Sequence, residues 1–572
     1  MSNKKIREIK KKNTMKKWVS LILILLLSLF AVKPLISEGY FPMHDDTQIA
    51  RVIVMGNALK DGQFPVRMVS DLGYGLGYPI YNFYGPLPYY FGGFLYNLGV
   101  DSVVATKIMF GVGAIIAPIA LFFLLSSIFG NAAAIAGAML FLFAPYHAVQ
   151  MYVRGSVGEY WAIAFVPFVL YGYMRALYKK RYIRGIVIGG IALAATITSH
   201  TIVGFLMCAL IGMGTGIFWI SKLLQKKLSK QDIVAPVSMT VLGLFLSAFF
   251  WLPAFVEMSY TSVLQMVYGA SSTFFDHFVC LPQLWNAPWG FAGSAPGCVD
   301  GMSFKFGKLH VIIASIAIIL WLMLQGSKQM KKKNMYMSVA LASLSICIVL
   351  MLPVSASFWN MIPYTSFIQY PWRLLAFGIL AIAVIGSYIV SVFKVPIIRM
   401  LIAACIIAAT IFVNVKLFIP QYQYTRDSSA FEGFEELRFT KSKISDEYLP
   451  PVIIRPRMAH EVVKNTVLGS DAFSVNRIEE TSTSFVAEIE SNTAQKVTIQ
   501  KAWFPGWIVT VNGQTIDPQI EHGVLSLNIE AGVSIIEMRF RNTPVRTFGN
   551  WMSIVGVCII GVLYFYGKKT NA

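Results

Sequence analysis

Trp18-Val-Ser-Leu-Ile-Leu-Ile-Leu-Leu-Leu-Ser-Leu-Phe-Ala-Val-Lys-Pro-Leu-Ile36 is an apolar run long enough to cross a bilayer. A few residues later comes Phe41-Pro-Met-His-Asp-Asp-Thr-Gln-Ile-Ala50, with two adjacent carboxylates. The run lacks a small-residue cleavage site, so it reads as a retained membrane helix rather than a removed signal. Ionisable groups beside a membrane are costly and informative, which makes His44-Asp45-Asp46 the first candidate for chemistry.

The rest of the chain agrees. Of its 572 residues, 56% are hydrophobic and 13% charged, more apolar surface than a soluble fold can hide. Runs of spanning length fall near 18–36, 103–128, 131–148, 160–177, 185–200, 202–222, 235–256, 309–325, 336–353, 372–393, 398–418 and 549–567, predicting twelve helices.

The net charge of +20 does not point to nucleic acid, because of where the charge sits. Eight Lys/Arg occupy the first 17 residues, and others cluster at Lys179-Lys180-Arg181, Lys222 to Lys230, Lys328 to Lys333, Lys394 to Arg399 and Lys568-Lys569. With a cytoplasmic N-terminus, alternation through twelve spans puts every cluster and both termini inside, as the positive-inside rule requires. Only Glu8 and Asp232 among the 28 acids then fall inside. All seven histidines map outward, His147, His200 and His310 at the outer ends of different spans. A polar reaction centre should therefore face outward.

The expected organisation is a basic N-terminus (1–17), a transmembrane domain (18–418) with external loops 37–102 and 257–308, an external β-rich domain (419–548), and a last span with its tail (549–572). Strands are predicted at Ser484 to Glu490, Lys496 to Trp503, Val524 to Ile529 and Ser534 to Arg541. A hairpin is expected at Trp507–Val511, turning at Asn512-Gly513 into Gln514–Ile516. A small β-sandwich tethered at both ends follows. Loop 257–308 holds Asp276, His277, Asp300 and the disulfide candidates Cys280 and Cys298. The other four cysteines lie within spans as packing residues.

Asp45 and Asp46 are expected to open a helix running to about Lys60, where acids in the first turn would complement its dipole. A cap needs only one acid, however, and helical neighbours point about 100° apart. One could accept a proton from a hydroxyl while the other orients it or binds a divalent cation such as Mg or Mn. Arg154 and Glu159 read as a local ion pair, His200 as an interfacial histidine, and Arg373 as either a membrane anchor or a phosphate ligand. The run Gly73-x-Gly75-x-Gly77 follows no strand and opens no helix, so it is no dinucleotide fingerprint.

His44-Asp45-Asp46, Tyr81-Asn-Phe-Tyr-Gly-Pro86, Arg154-Gly-x-x-x-Glu159, Ser199-His200, Gln369-Tyr-Pro-Trp-Arg373 and Glu447-Tyr-Leu-Pro450 together resemble the bacterial pyruvoyl-tetrahydropterin-synthase-related membrane proteins and, more distantly, YfhO-like proteins. Both look like the GT-C glycosyltransferase superfamily. The pterin name implies no pterin chemistry here, since no signature of the soluble synthase is visible. The resemblance implies a mainly α, polytopic membrane enzyme of the bacterial cytoplasmic membrane. It would transfer a sugar from a polyprenyl-phosphate donor to an envelope glycan, glycolipid or protein on the outer face, with no nucleic-acid partner. Asp45 or Asp46 would be the base, with Asp45 or Asp46 also the metal ligand if there is one. His44, Arg154, Glu159, His200 and Arg373 would bind substrate and phosphate. The competing readings are a lipid or polysaccharide transporter and a non-catalytic envelope scaffold. Coupled transport is disfavoured because the few charges in the spans (Lys107, Arg175, Arg373) sit near their ends.

Overall fold

The computed structural model describes residues 3–178, 180–268, 274–299, 301–361, 365–470 and 473–570; Lys179 and Asp300 lie outside them. Among the described residues nine helices are long and apolar enough to span: Thr14–Ile36, Ser102–Phe129, Val157–Leu177, Tyr182–Ser199, Thr201–Leu224, Lys331–Met351, Pro371–Val392, Pro396–Leu417 and Pro544–Phe565. Two more runs form bent pairs, Asn131–Leu142 with Pro145–Arg154 (48°) and Lys230–Leu246 with Ala248–Tyr260 (72°). Lys308–Met323 is a shorter apolar helix. These twelve runs are those expected, but the hydropathy pattern does not show the bends. At the first, the chain before Pro145 is pushed out of helical geometry. At the second, Ser247 Oγ donates back to the Gly243 carbonyl at 2.8 Å, and the Trp251 indole donates to the Leu244 carbonyl at 2.9 Å. Small residues permit the closest packing: a Cβ on Gly172 would stand 2.4 Å from Gly189 Cα, drawing Val157–Leu177 onto Tyr182–Ser199.

The helix after the first span runs Gln48–Lys60 and is buried over most of its length. It starts later than expected. Asp45 and Asp46 precede it in a turn, the N-cap is Thr47 without a side-chain cap bond, and the first turn holds no acid. Helix capping therefore does not account for the acidic pair.

The C-terminal domain is a β-sandwich of β1 (Val467–Gly469), β2 (Phe473–Glu480), β3 (Ser484–Ser491), β4 (Gln495–Ala502), β5 (Trp507–Val511), β6 (Gln514–Ile516), β7 (Gln519–Glu521), β8 (Val524–Ile529) and β9 (Gly532–Phe540). The sheets run β1-β4-β8-β7 and β2-β3-β9-β5-β6. Their alternate inward residues, among them Phe485, Ile489, Ile499, Leu525, Ile536 and Met538, form a core separate from that of the bundle. The turn Asn512-Gly513 has both φ values positive, +48° and +80°, matching the twist of a two-residue hairpin.

The glycine run docks this domain. Gly73, Tyr74, Gly75 and Gly77 all have positive φ. The Leu76 carbonyl accepts from Ala502 N at 2.7 Å, and Tyr74 N donates to Ser442 Oγ at 3.2 Å. A side chain on Gly75 would meet Arg438 Cδ at 2.8 Å, which explains the glycine there. A buried latch secures the last helix. Glu257 accepts from Arg546 (2.9 Å), Asn82 (2.8 Å) and Thr543 (2.6 Å), and Arg67 donates to Asn82 and Asn550. Cys280 and Cys298 form a disulfide, with Cα atoms 5.5 Å apart.

Candidate active site

The site is built around Glu159, in the first turn of Val157–Leu177 and only 2% exposed. Before it lie the short helix Pro145–Ala148 and the π-helical turn Val149–Arg154, which stack Tyr146, Gln150 and Arg154 at four-residue intervals. All three reach the same carboxylate. Tyr146 Oη (2.8 Å) and Gln150 Nε2 (3.1 Å) donate to Oε1, and Arg154 Nη1 donates to Oε2 at 3.1 Å. Gly155 then reverses the chain at φ +66°, and a Cβ there would stand 2.0 Å from Met43 Sδ. This close approach brings the first loop in. His44 N bonds to the Val153 carbonyl (3.0 Å) and Asp45 N to the Arg154 carbonyl (2.9 Å).

Arg373 arrives from the opposite side and donates its Nε to Glu159 Oε2 at 3.3 Å. Its Nη1 is held by the Ile368 carbonyl (2.7 Å) and Gln369 Oε1 (3.0 Å). Gln369 is strained into the left-handed region at φ +63°. Tyr370 and Trp372 stack at 4.8 Å, with Arg373 over Tyr370 and Arg154 over Trp372. Two guanidiniums thus share one carboxylate in a buried, aromatic-walled setting.

His200 lies in the break between Tyr182–Ser199 and Thr201–Leu224. Its Nδ1 accepts from Val203 N at 3.4 Å, so a neutral ring carries its proton on Nε2. Burial first, then the charges of Arg373 and Arg154, hold the imidazole down at about 3 and hence neutral. Gly85 and Gly158 both press on the Ser199 carbonyl; their Cβ atoms would stand 2.0 and 2.7 Å from its oxygen. This is why glycines flank the break, and it joins the Tyr81–Pro86 motif to His200.

The two aspartates have different surroundings. Asp46 Oδ2 is paired with Lys441 Nζ at 2.8 Å; burial raises its carboxyl above the ordinary value, and Lys441 opposes the shift. Among the described residues no side chain or backbone group bonds the Asp45 carboxylate, which acts electrostatically on Arg154. His44 Nε2 meets the Phe291 carbonyl at 2.8 Å, tying the pair to the disulfide-closed loop. Among the described residues no three His, Cys, Asp or Glu stand close enough together to hold a metal. Lys441 engages Asp46, so Asp45 is the carboxylate of the pair open to a divalent cation.

The structure therefore brings Asp45, Arg154, Glu159, His200 and Arg373 to one end of the bundle. His147 and His310 are packing residues: both are fully buried, His147 edge-on to Phe141 and His310 bonded to the Leu140 carbonyl at 2.8 Å. Sequence reasoning missed Tyr146, Gln150, Lys441 and, in a neighbouring cluster, Arg51 and Ser445, which join the Tyr81–Pro86 and Glu447–Pro450 motifs. In that cluster the Arg51 guanidinium lies 4.0 Å from the Tyr84 ring centroid and donates to Ser445 Oγ (3.0 Å), which donates to Glu447 (3.1 Å). The available signal was an arginine inside the apolar run Ile49-Ala-Arg-Val-Ile-Val-Met55.

A family model described as "6-pyruvoyl-tetrahydropterin synthase related domain; membrane protein" matches residues 81–419. An uncharacterized protein from Lactococcus lactis subsp. cremoris (strain MG1363) is 24% identical over 350 residues, covering 58% of this chain and 53% of that one. The match thus spans about half the length of that curated relative. Among solved structures, the apo oligosaccharyltransferase of Archaeoglobus fulgidus is 12% identical at a TM-score of 0.46, over 76% of this chain and 60% of that one. The arabinofuranosyltransferase AftD from Mycobacteria is 14% identical at 0.42, over 72% and 28%. The family match covers more than half of the chain and includes most of the polar cluster: this protein belongs to the 6-pyruvoyl-tetrahydropterin-synthase-related family of membrane proteins.

Proposed function

We propose that the protein is an integral membrane glycosyltransferase of GT-C type in the bacterial cytoplasmic membrane. It moves a sugar from a polyprenyl-phosphate donor to an envelope glycan, glycolipid or protein on the extracytoplasmic face. One observation carries this reading: two guanidiniums, Arg154 and Arg373, converge on the Glu159 carboxylate, and Asp45, beside Arg154, has an uncommitted carboxylate. A guanidinium pair at the end of apolar helices suits a phosphate whose lipid tail stays in the bilayer. The basic cytoplasmic loops support the outward sidedness.

In this mechanism Asp45 accepts the proton of the acceptor hydroxyl. The oxygen attacks the anomeric carbon as the carbon–oxygen bond to phosphate breaks. The bonding pair leaves with the polyprenyl phosphate, whose charge Arg154 and Arg373 stabilise, and the configuration inverts. The proton ends on Asp45. Glu159 fixes both arginines, and His200 offers a neutral Nε2–H donor to the sugar or phosphate. The test compares the envelope glycans of a deletion strain with those of strains carrying Asp45→Asn or Asp46→Asn. The Asp45 variant should reproduce the deletion profile. Wild-type glycans from normally inserted Asp45→Asn protein overturn the base assignment, and an unchanged deletion profile overturns the transferase reading.

A further inference from the structure

Residues 419–466 link the bundle to the sandwich and double back over the first loop. Tyr424 and Tyr40 exchange backbone hydrogen bonds at 2.8 and 2.9 Å. Gly39, at φ +75°, sits so close that a Cβ would stand 2.5 Å from the Tyr424 oxygen. Farther on, the π-helical turn Glu436–Lys441 delivers a lysine with 7% of its side chain exposed. Lys441 bridges Asp46 (2.8 Å) and Glu436 (3.1 Å), and Glu436 is paired with Arg426 at 2.9 Å. The four alternating charges sum to zero. Buried ion pairs are a weak source of stability compared with apolar packing, so what this chain of charges orients is the more informative question.

We propose that Lys441, supplied by the linker, is a positioning residue that holds Asp46 as a fixed counter-ion and leaves Asp45 as the carboxylate open to the acceptor. The inference rests on the glycosyl-transfer reading. It makes the linker part of the site and gives the paired carboxylates separate tasks. Asp46 is anchored towards the linker, while its neighbour is tied through its backbone N to the Arg154 carbonyl at 2.9 Å. Losing the ammonium frees Asp46, and the turn that aims Asp45 loses its anchor.

The test uses the full-length protein in membranes of the deletion strain, with those membranes' own lipid-linked sugar and acceptor as the probe. Transfer rates are compared for Lys441→Met, Lys441→Arg, Asp46→Asn and the Lys441→Met/Asp46→Asn double variant, normalised to inserted protein. Misplacement of a reacting group by about 1 Å predicts a loss of about 10- to 100-fold for Lys441→Met. Lys441→Arg should recover the rate to within about threefold of wild type, and the double variant should be no slower than Asp46→Asn by more than about threefold. That non-additivity is what a lysine serving only the linker's fold does not produce. If the Met variant inserts poorly, Lys441→Gln is read in its place. A wild-type rate for Lys441→Met, or a double loss equal to the product of the single losses, overturns the inference. When Asp45→Asn is inactive in the same membranes, that result leaves the transferase reading standing. An active Asp45→Asn overturns the base assignment and this inference together, while transfer that is the same in deletion and wild-type membranes overturns the transferase reading.

Discussion

Glu159→Gln changes one oxygen to an amide and keeps the shape of the side chain, so it isolates the effect of charge. The carboxylate accepts from Tyr146, Gln150, Arg154 and Arg373 at 2.8–3.3 Å. In the variant, the amide oxygen can serve the two guanidiniums while its NH2 turns towards Tyr146 and Gln150. Tyr146 can rotate its hydroxyl to accept, but Gln150 Nε2 then faces a donor. More costly, two buried arginines lose their shared counter-charge. Breaking a buried ion pair from one side costs about 3–5 kcal/mol. By comparison, Tyr146→Phe removes the 2.8 Å bond donated to the carboxylate, costing about 1.5–3 kcal/mol, and a longer 3.3 Å bond accepted from Arg154, whose Nη1 keeps its bond to Glu159. Both variants and the wild type would be fused to a fluorescent reporter, solubilised in mild detergent and heated, and the monodisperse fraction followed by size exclusion. The expected order of midpoints is wild type, Tyr146→Phe, then Glu159→Gln. Added inorganic phosphate should raise the Glu159→Gln midpoint more than that of wild type, since an anion can replace the lost charge. A Glu159→Gln midpoint equal to wild type, unmoved by phosphate, would refute the reasoning.

Replacing Cys280 and Cys298 by Ser removes a cross-link between residues 18 apart, worth about 3 kcal/mol on the chain-entropy account. A lower melting midpoint is expected, and a mass-tagged maleimide should label two additional thiols only after reduction of the denatured wild type. The Glu447 carboxyl is raised by burial, with Arg51 and Ser445 pulling down and Asp446 adding to the rise. A carboxyl raised in the folded state favours the fold below its unfolded value, and that contribution is lost as pH rises through the folded value. Glu447→Gln should therefore gain stability relative to wild type as pH rises from acid to neutral. Parallel stability profiles across that range would show the carboxylate to be uninvolved.

The spans were legible because hydrocarbon length and basic loops are properties of local sequence. Strands β3, β4, β5, β8 and β9 were legible because half-buried strands alternate. β2 was not, because most of its residues are exposed and leave no alternation to read. Arg154, Glu159, His200 and Arg373 were conspicuous as rare charged or polar residues at span ends. Glu436 and Lys441 lie in a stretch already rich in acids and bases, where nothing marks one pair as buried. Asp45 and Asp46 looked like a helix cap because the apolar pattern starts immediately after them. The actual start at Gln48 depends on backbone bonds to residues 153 and 154, more than a hundred positions away.

The ion pair between Asp46 and Lys441 closes a sequence gap of 395 residues. At elongation rates of about 5–20 residues per second, the aspartates emerge about 20–80 s before their lysine. During that interval the first loop carries its acids without the ammonium, and without Arg373. The glycine run awaits Leu76's partner Ala502, and Glu257 awaits Arg546. Assembly of the site is thus a late event in the life of the nascent chain. A product cut short before residue 441 inserts most of its helices yet lacks part of its charge circuit, so translation itself sets the order in which the protein becomes complete.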